Sequence, residues 1–178
     1  EQLRGDGSDN LMAVWASGPD DAWAGGAAFY HNGGNGWSPA PSFAFGPFQY
    51  VMGLWGSGPN DVWAVGSLLL AHFDGSSWIL DPWSDWRDEF GNALSLDDVW
   101  GTAPNDVWAV GEAGTILRWN GNAWAPVVSG TTNALSALWG TSPKDVWAGG
   151  AIGTMRRWNG STLTQVTIDP NTNISALW

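Results

Sequence analysis

The sequence predicts an all-β protein, a β-propeller of four-stranded antiparallel blades, and three observations carry that prediction. One phrase recurs four times: WASGPDDAWAGG from Trp15, WGSGPNDVWAVG from Trp55, WGTAPNDVWAVG from Trp100 and WGTSPKDVWAGG from Trp139. The leading tryptophans recur at a spacing of roughly 40 residues, and a like interval separates Trp139 from Trp178 in the phrase ISALW. Each period divides into short apolar runs separated by Gly, Pro, Asn and Asp, with no helical period of 3.6. A fixed period of this length, holding four short strands, is the pattern of a propeller blade.

The first strand of each period ends in the leading Trp: LMAVW (11–15), VMGLW (51–55), LDDVW (96–100), ALSALW (134–139) and finally ISALW (174–178). An aliphatic residue lies four positions before the Trp, and Ala or Gly two before it in most copies, so all three share one face of a strand. Small residues there suit a crowded innermost strand. A turn with Pro and then Asp follows. Pro presets its own φ, and Asp21, Asp61, Asp106 and Asp145 are expected to bond nearby backbone amides as Asx-type turn residues. The second strand is AWAGG or DVWAVG. The third is clearest in GTILRWNG (114–121) and GTMRRWNG (153–160), with FYHNG (29–33) and AHFDG (71–75) as shorter counterparts, and its Asn-Gly or Asp-Gly end signals a hairpin. A fourth strand begins at Trp37, Trp78, Trp124 or Leu163.

The expected organisation is a leader over residues 1–10 and blades over 11–50, 51–95, 96–134 and 135–173, with an extra first strand over 174–178. That leaves five first strands for four complete blades. An unpaired apolar strand is an aggregation hazard that proteins cover or close. The surplus therefore points to a homo-oligomer or to further blades of a longer chain.

Composition excludes several functions. Six basic residues against seventeen acidic ones give a formal charge of −11, so nucleic acid would be repelled and no nucleic-acid partner is expected. No run approaches the roughly 20 apolar residues that span a bilayer, and no membrane insertion is expected. The absence of cysteine removes disulfides, thiolate metal sites and thiol nucleophiles. Low Lys with abundant Trp, Gly, Asn and Ser associates with extracellular or cell-surface bacterial proteins. His31 and His72, one residue out of step with each other before the third-strand turn, make no ligand cluster, and no metal or other cofactor is expected. The opening GDGSDN (5–10) lacks a full calcium ligand set. No HExxH, nucleophile elbow or phosphate loop occurs, so no catalytic residue is assigned and the chain reads as a non-enzyme.

The phrase WGTxPxDVWAVGxxGTIxRWNGxxW, best seen over residues 100–124, resembles a repeat of secreted or surface-exposed bacterial β-propellers of the Asp-box and photosystem II stability-factor-like kind. That resemblance implies architecture and not activity. A sialidase-type Asp box has the spacing SxDxGxxW, whereas FDGSSW (73–78) lacks the Ser and one spacer, and the arginine cluster of such enzymes has no counterpart among six basic residues. The chain is also similar to bacterial propeller lectins, whose blades alternate a strand like DVWAVG with one ending in WNGxxW. The lectin likeness implies that Trp119 with Trp124 and Trp158 could hold sugar between blades.

Sixteen tryptophans invite a glycan-binding reading, because indole faces stack on sugar rings. Eight of them, Trp15, Trp55, Trp100, Trp139, Trp23, Trp63, Trp108 and Trp147, fall at two repeat positions and are expected to pack between blades. The departures from the repeat lie elsewhere. From the fourth-strand Trp to the next leading Trp, the stretch from Trp124 to Trp139 is the shortest, that from Trp37 to Trp55 is longer, and that from Trp78 to Trp100 is longer still. The additions are SFAFGPFQY (42–50) and DPWSDWRDEF (81–90). Blade connections should emerge on the same side as the loop between second and third strands, where function concentrates. Trp83, Trp86, Arg87 and Asp88, with Asp85 and Glu89 beside them, are therefore candidate ligand-binding residues. The competing reading is a local lid over the blade junction. The expectation is a non-enzymatic binding propeller with glycans as ligand, and the alternative is a structural or protein-interaction module.

Overall fold

A computed structural model describes residues 10–40, 50–82 and 95–178. Among these residues sixteen strands form four separate sheets, each an antiparallel meander in simple chain order. The first blade comprises β1 (Leu11–Gly18), β2 (Asp21–Gly26), β3 (Phe29–Asn32) and β4 (Trp37–Pro39). The second comprises β5 (Val51–Gly58), β6 (Asp61–Gly66), β7 (Leu69–Phe73) and β8 (Trp78–Leu80). The third comprises β9 (Leu96–Ala103), β10 (Asp106–Gly111), β11 (Ile116–Trp119) and β12 (Trp124–Pro126). The fourth comprises β13 (Leu135–Ser142), β14 (Asp145–Gly150), β15 (Thr154–Trp158) and β16 (Leu163–Thr167). These are the blades of a β-propeller. The chain forms two compact units, residues 1–93 with the first two blades and residues 94–178 with the last two.

Register explains the recurring tryptophans. Trp15 lies opposite Trp23, Trp55 opposite Trp63, Trp100 opposite Trp108 and Trp139 opposite Trp147. Cross-strand partners share a face, so each blade carries a Trp pair on one side of its two inner strands. In the first unit, that side of blade one packs on the opposite side of blade two. Trp23 meets Phe73 and Trp78 with ring centroids 5.0 and 5.1 Å apart, and Val51, Leu54, Val62 and Ala64 complete the cluster. In the second unit, Trp108, Val110 and Ile116 of blade three pack on Leu135, Leu138, Val146 and Ala148 of blade four. Trp23, Trp63 and Trp108 are each only 1% exposed.

Glycine at two positions makes this approach close enough. A Cβ on Gly56 would lie 2.7 Å from the Trp15 ring, and one on Gly140 would lie 2.7 Å from the Trp100 ring. The leading Trp of one blade therefore rests on the glycine that follows the leading Trp of the next, and any side chain there would push the blades apart.

The third-to-fourth-strand hairpins turn on a positive-φ glycine, Gly34, Gly75, Gly121 or Gly160. In three blades an Asx side chain closes the turn: Asp74, Asn120 and Asn159 each accept two backbone amides. Bonds from the Ser76 hydroxyl and the Ser77 and Ser76 amides hold the exposed Asp74 carboxyl down at about 2. In blade one Asn32, one position earlier, accepts the amides of Gly34 and Gly36 instead. That shift corrects the apparent misalignment of the histidines. Measured from the turn glycine and from the opposing Trp, His31 and His72 are in step, paired with Trp23 and Trp63.

Residues 174–178, expected as an extra first strand, form no strand here. The physical reason is that no second strand among the described residues pairs with them, since β-structure is defined by its ladder partner.

Candidate functional site

Trp83, Trp86, Arg87 and Asp88, with Asp85 and Glu89, lie outside the described residues; of the 81–90 addition only Asp81 and Pro82 lie within them. Trp119 and Trp124 face each other across β11 and β12, with ring centroids 5.9 Å apart. Trp124 is buried, whereas Trp119 is half-buried and donates its indole N–H to the Pro104 carbonyl at 3.1 Å. Trp158 occupies the same position one blade on, bonded to the Pro143 carbonyl at 3.2 Å and packed 5.5 Å from Trp108. Trp119 and Trp124 are brought together, and Trp158 is held against the inter-blade cluster.

A second constellation repeats in every blade, and it corrects the Asx-turn reading of the four aspartates. Each carboxylate opens the second strand and clamps two side chains. One oxygen accepts the hydroxyl of Ser17, Ser57, Thr102 or Thr141, four residues earlier. The other accepts a third-strand group: His31 to Asp21 at 2.7 Å, His72 to Asp61 at 2.5 Å, and Arg118 to Asp106 and Arg157 to Asp145, both at 2.8 Å. The third-strand residue also stacks on the second-strand Trp. His31 lies 4.0 Å from Trp23 and His72 4.2 Å from Trp63, while the Arg118 and Arg157 guanidinium carbons lie 4.8 and 4.9 Å from Trp108 and Trp147. At Asp145, the Thr141 hydroxyl and then Arg157 hold the carboxyl below its usual range.

In the first two blades this set contains Ser, Asp and His, the residue types of a hydrolytic triad, but in the wrong order. A relay places His between Ser and Asp so that the imidazole can take the hydroxyl proton. Here Asp stands between the other two, and in blades three and four the base position holds an always-charged Arg. The geometry is that of a strut across three strands. Arg118→His is therefore expected to change stability by less than about 1 kcal/mol, because His fills the same seat in blades one and two. Arg118→Ala, which leaves Asp106 without its charged partner and bares the Trp108 face, is expected to cost about 1–3 kcal/mol. Chemical denaturation of the two variants checks the difference.

The opposite end of the sheets has another character. In the second unit, the turns between second and third strands and the blade connections form one continuous rim. Glu112 N bonds Ser95 O, and Ala151 N bonds Ala134 O at 2.9 Å. Asn133 reaches Thr154 at 2.8 Å, and Asn173 accepts the Ile152 amide at 3.0 Å. Arg156, buried in β15, ties the connection down by donating to Ser129 O at 2.7 Å and Gly130 O at 2.9 Å.

On this anchored rim stand apolar side chains. Val128 is 90% exposed and Ile152 59% exposed. Leu68, Ala113 and Ile152 hold equivalent turn positions with φ of 53°, 53° and 55°. A left-handed conformation costs a non-glycine residue about 1–2 kcal/mol, and for β-branched Ile it is a genuine outlier.

Acidic groups accompany them. Glu112 and Asp169 lie on the rim, and Asp97 and Asp98 stand at the adjoining start of β9. Burial raises the Asp97 carboxyl, and nearby Glu112 raises it further. Burial also lifts Asp98 to about 6, against the pull of the Leu138 and Val99 amides that it accepts at 2.7 and 2.8 Å. Asp98 replaces the small residue of the other copies and caps an inner-strand amide of the next blade. Nothing in the repeat pattern pointed to Arg156, Val128, Ile152 or this acidic corner. Only the mismatch of Asp98 with Ala13, Gly53 and Ala137 could have marked it.

Among the described residues no group of three or more His, Asp or Glu is arranged to hold a metal ion, and no helix is long and apolar enough to cross a membrane. No family model matches the sequence, and no curated protein does. Solved structures are similar in fold. YCF48 bound to D1 peptide superposes with a TM-score of 0.67 at 16% identity, over 90% of this chain and 55% of that one. YCF48 from Cyanidioschyzon merolae gives 0.69 at 16% identity, over 99% and 62%. The extracellular domain assigned to the one-component system BT4673 of B. thetaiotaomicron gives 0.78 at 14% identity, over 100% and 26%. This chain thus spans 55% and 62% of the two YCF48 chains. At these identities the likeness shows the fold, and the fold it shows is the β-propeller.

Proposed function

We propose that this protein is a non-enzymatic interaction module that binds an extended protein segment carrying apolar and basic side chains. The observation that carries the reading is the rim of the second unit, where Ile152 and Ala113 are held in left-handed conformations and Val128 stands exposed on an Arg156-anchored connection. Backbone strain and exposed apolar tips both cost stability, and such costs collect where a surface works. Glu112 and Asp169 beside the tips, within a chain of net charge −11, favour a cationic partner. That one similar propeller is described as bound to a peptide is consistent with this mode. An extracellular or cell-surface setting belongs to the same proposal.

Glycans, the ligand class that the tryptophan content suggests, are the rival. The described aromatic candidates Trp119, Trp124 and Trp158 are engaged in packing, and Trp119 and Trp158 also in indole N–H bonds to backbone carbonyls, which favours the protein segment.

A library of linear peptides selected on the intact protein tests the reading. Selected peptides are expected to be rich in Lys or Arg alternating with apolar residues, and Val128→Asp is expected to weaken them about tenfold or more, the equivalent of about 1.4 kcal/mol. Ile152→Gly is expected to weaken binding while raising stability by about 1 kcal/mol, because it relieves the left-handed backbone. Glycan-array binding unaffected by either change, with no peptide selected, would transfer the assignment to a sugar.

A further inference from the structure

We propose that the outer side of blade four, together with residues 174–178, is a docking surface for one further blade of this same repeat, and that 174–178 is that blade's first strand. The docking surface does not depend on what the rim binds, although the Ile152 turn belongs to both.

The chain supplies its own template. Where blade two meets blade one, a Cβ placed on Gly25 would lie 2.5 Å from Val51, the residue four before the leading Trp55. On blade four, a Cβ on Gly149 would lie 2.6 Å from Ile174, the residue four before Trp178. Gly25 and Gly149 hold the same register, opposite Ala13 in β1 and Ala137 in β13. Ile174 thus sits on blade four where Val51 sits on blade one. It is fixed there: its amide donates to Gly150 O at 3.0 Å, Gly153 N donates to Thr172 O at 2.6 Å, and Asn173 takes the Ile152 amide.

Among the described residues of the second unit, the rest of that interface is less covered than its counterparts. Trp178 is 92% exposed, whereas Trp15, Trp55, Trp100 and Trp139 are half-buried and each lies opposite a second-strand Trp. On blades one and three, Phe29 and Ile116 are buried against the following blade; Met155 at the same register on blade four is half-buried. Arg118 lies between Trp108 and Trp158 of the next blade, 4.8 and 5.4 Å from the two rings, with 34% of its side chain exposed. Arg157 lies over Trp147 with 48% exposed.

A partner that fits must therefore offer a second strand of the form Asp-Val-Trp-Ala, to pair antiparallel with 174–178 and place its Trp opposite Trp178. It must also offer an outer-strand aromatic to cover Trp147 and Arg157. A blade of this repeat offers both.

The experiment extends the full chain after Trp178 with a copy of residues 140–167 and follows amide exchange at residues 175–178. Exchange there is expected to slow by about tenfold or more, as ladder hydrogen bonds form, and Ile174→Asp in the extended chain is expected to abolish the slowing. Because the added copy could fail to fold, a synthetic peptide copying residues 101–111 is also added to the unextended chain, with the same expected protection. Fast exchange at 175–178 in both formats would overturn the proposal. So would protection that appears in the unextended chain alone as light scattering reports a dimer, since the occupant would then be a second copy.

Discussion

Trp108→Ala is expected to destabilise the protein by about 3–5 kcal/mol, and Trp147→Ala by about half of that or less. Both hold the same position in their blades, opposite a leading Trp and beneath an Arg. They differ in cover. Trp108 is closed over by Trp158 and the apolar inner strands of blade four, so its removal leaves a cavity that two rigid sheets cannot collapse into. Its buried Nε1 finds no hydrogen-bond partner among the described residues, so the loss is chiefly one of packing. Trp147 is half-buried and its indole N–H reaches Asp145 at 3.1 Å, which solvent can replace. Against a domain stability of about 5–15 kcal/mol, the first change removes a large fraction. Urea denaturation of both variants checks the gradient, and equal losses would mean that contact between blades three and four is not what makes the position costly.

The second large effect is a pH dependence that runs against the usual direction. Asp98 has a folded-state pKa of about 6, above that of an exposed aspartate, with burial as the first cause. Such a group binds its proton more tightly in the folded state. Its stabilising contribution is full below about pH 4 and is lost as pH rises through about 6. The difference from an exposed aspartate corresponds to about 3 kcal/mol. Asp97, raised in the same direction, adds to the trend. Asp74 and Asp145 act oppositely, since their lowered values withdraw stability only as pH falls below the ordinary carboxylate range. Stability is therefore expected to decline between about pH 4 and pH 7. Asp98→Asn, which keeps one oxygen for the Leu138 or Val99 amide without the charge, is expected to flatten that decline. Denaturation midpoints across the pH range check it, and an unchanged slope in the variant would move the effect to other carboxylates.

The sequence by itself determined the strands of the four blades, their order within each blade and, at Trp15, Trp23, Trp100 and Trp108, the inter-blade role of the recurring Trp. That information is local and repeated: Pro and Asp punctuate one turn, Asx-Gly another, and a Trp that recurs at one position in four copies calls for the same kind of neighbour in each. Even the struts were half legible, since Asp21, Asp61, Asp106 and Asp145 stood out as a set. Their assignment failed because a carboxylate near a turn has amide donors close in sequence, whereas the His and Arg that it bonds lie well along the chain on another strand.

What only the tertiary structure decided was each feature in which the copies differ. The second-unit rim, the burial of Asp98, the anchoring of a connection by Arg156 and the seat of Ile174 on Gly149 all come from contacts between blades or between a turn and a connection. Such contacts depend on which residue stands opposite across a packed interface. A repeat pattern fixes where that interface lies, but the side chains that depart from the pattern acquire their chemistry only from the neighbour against which they are placed.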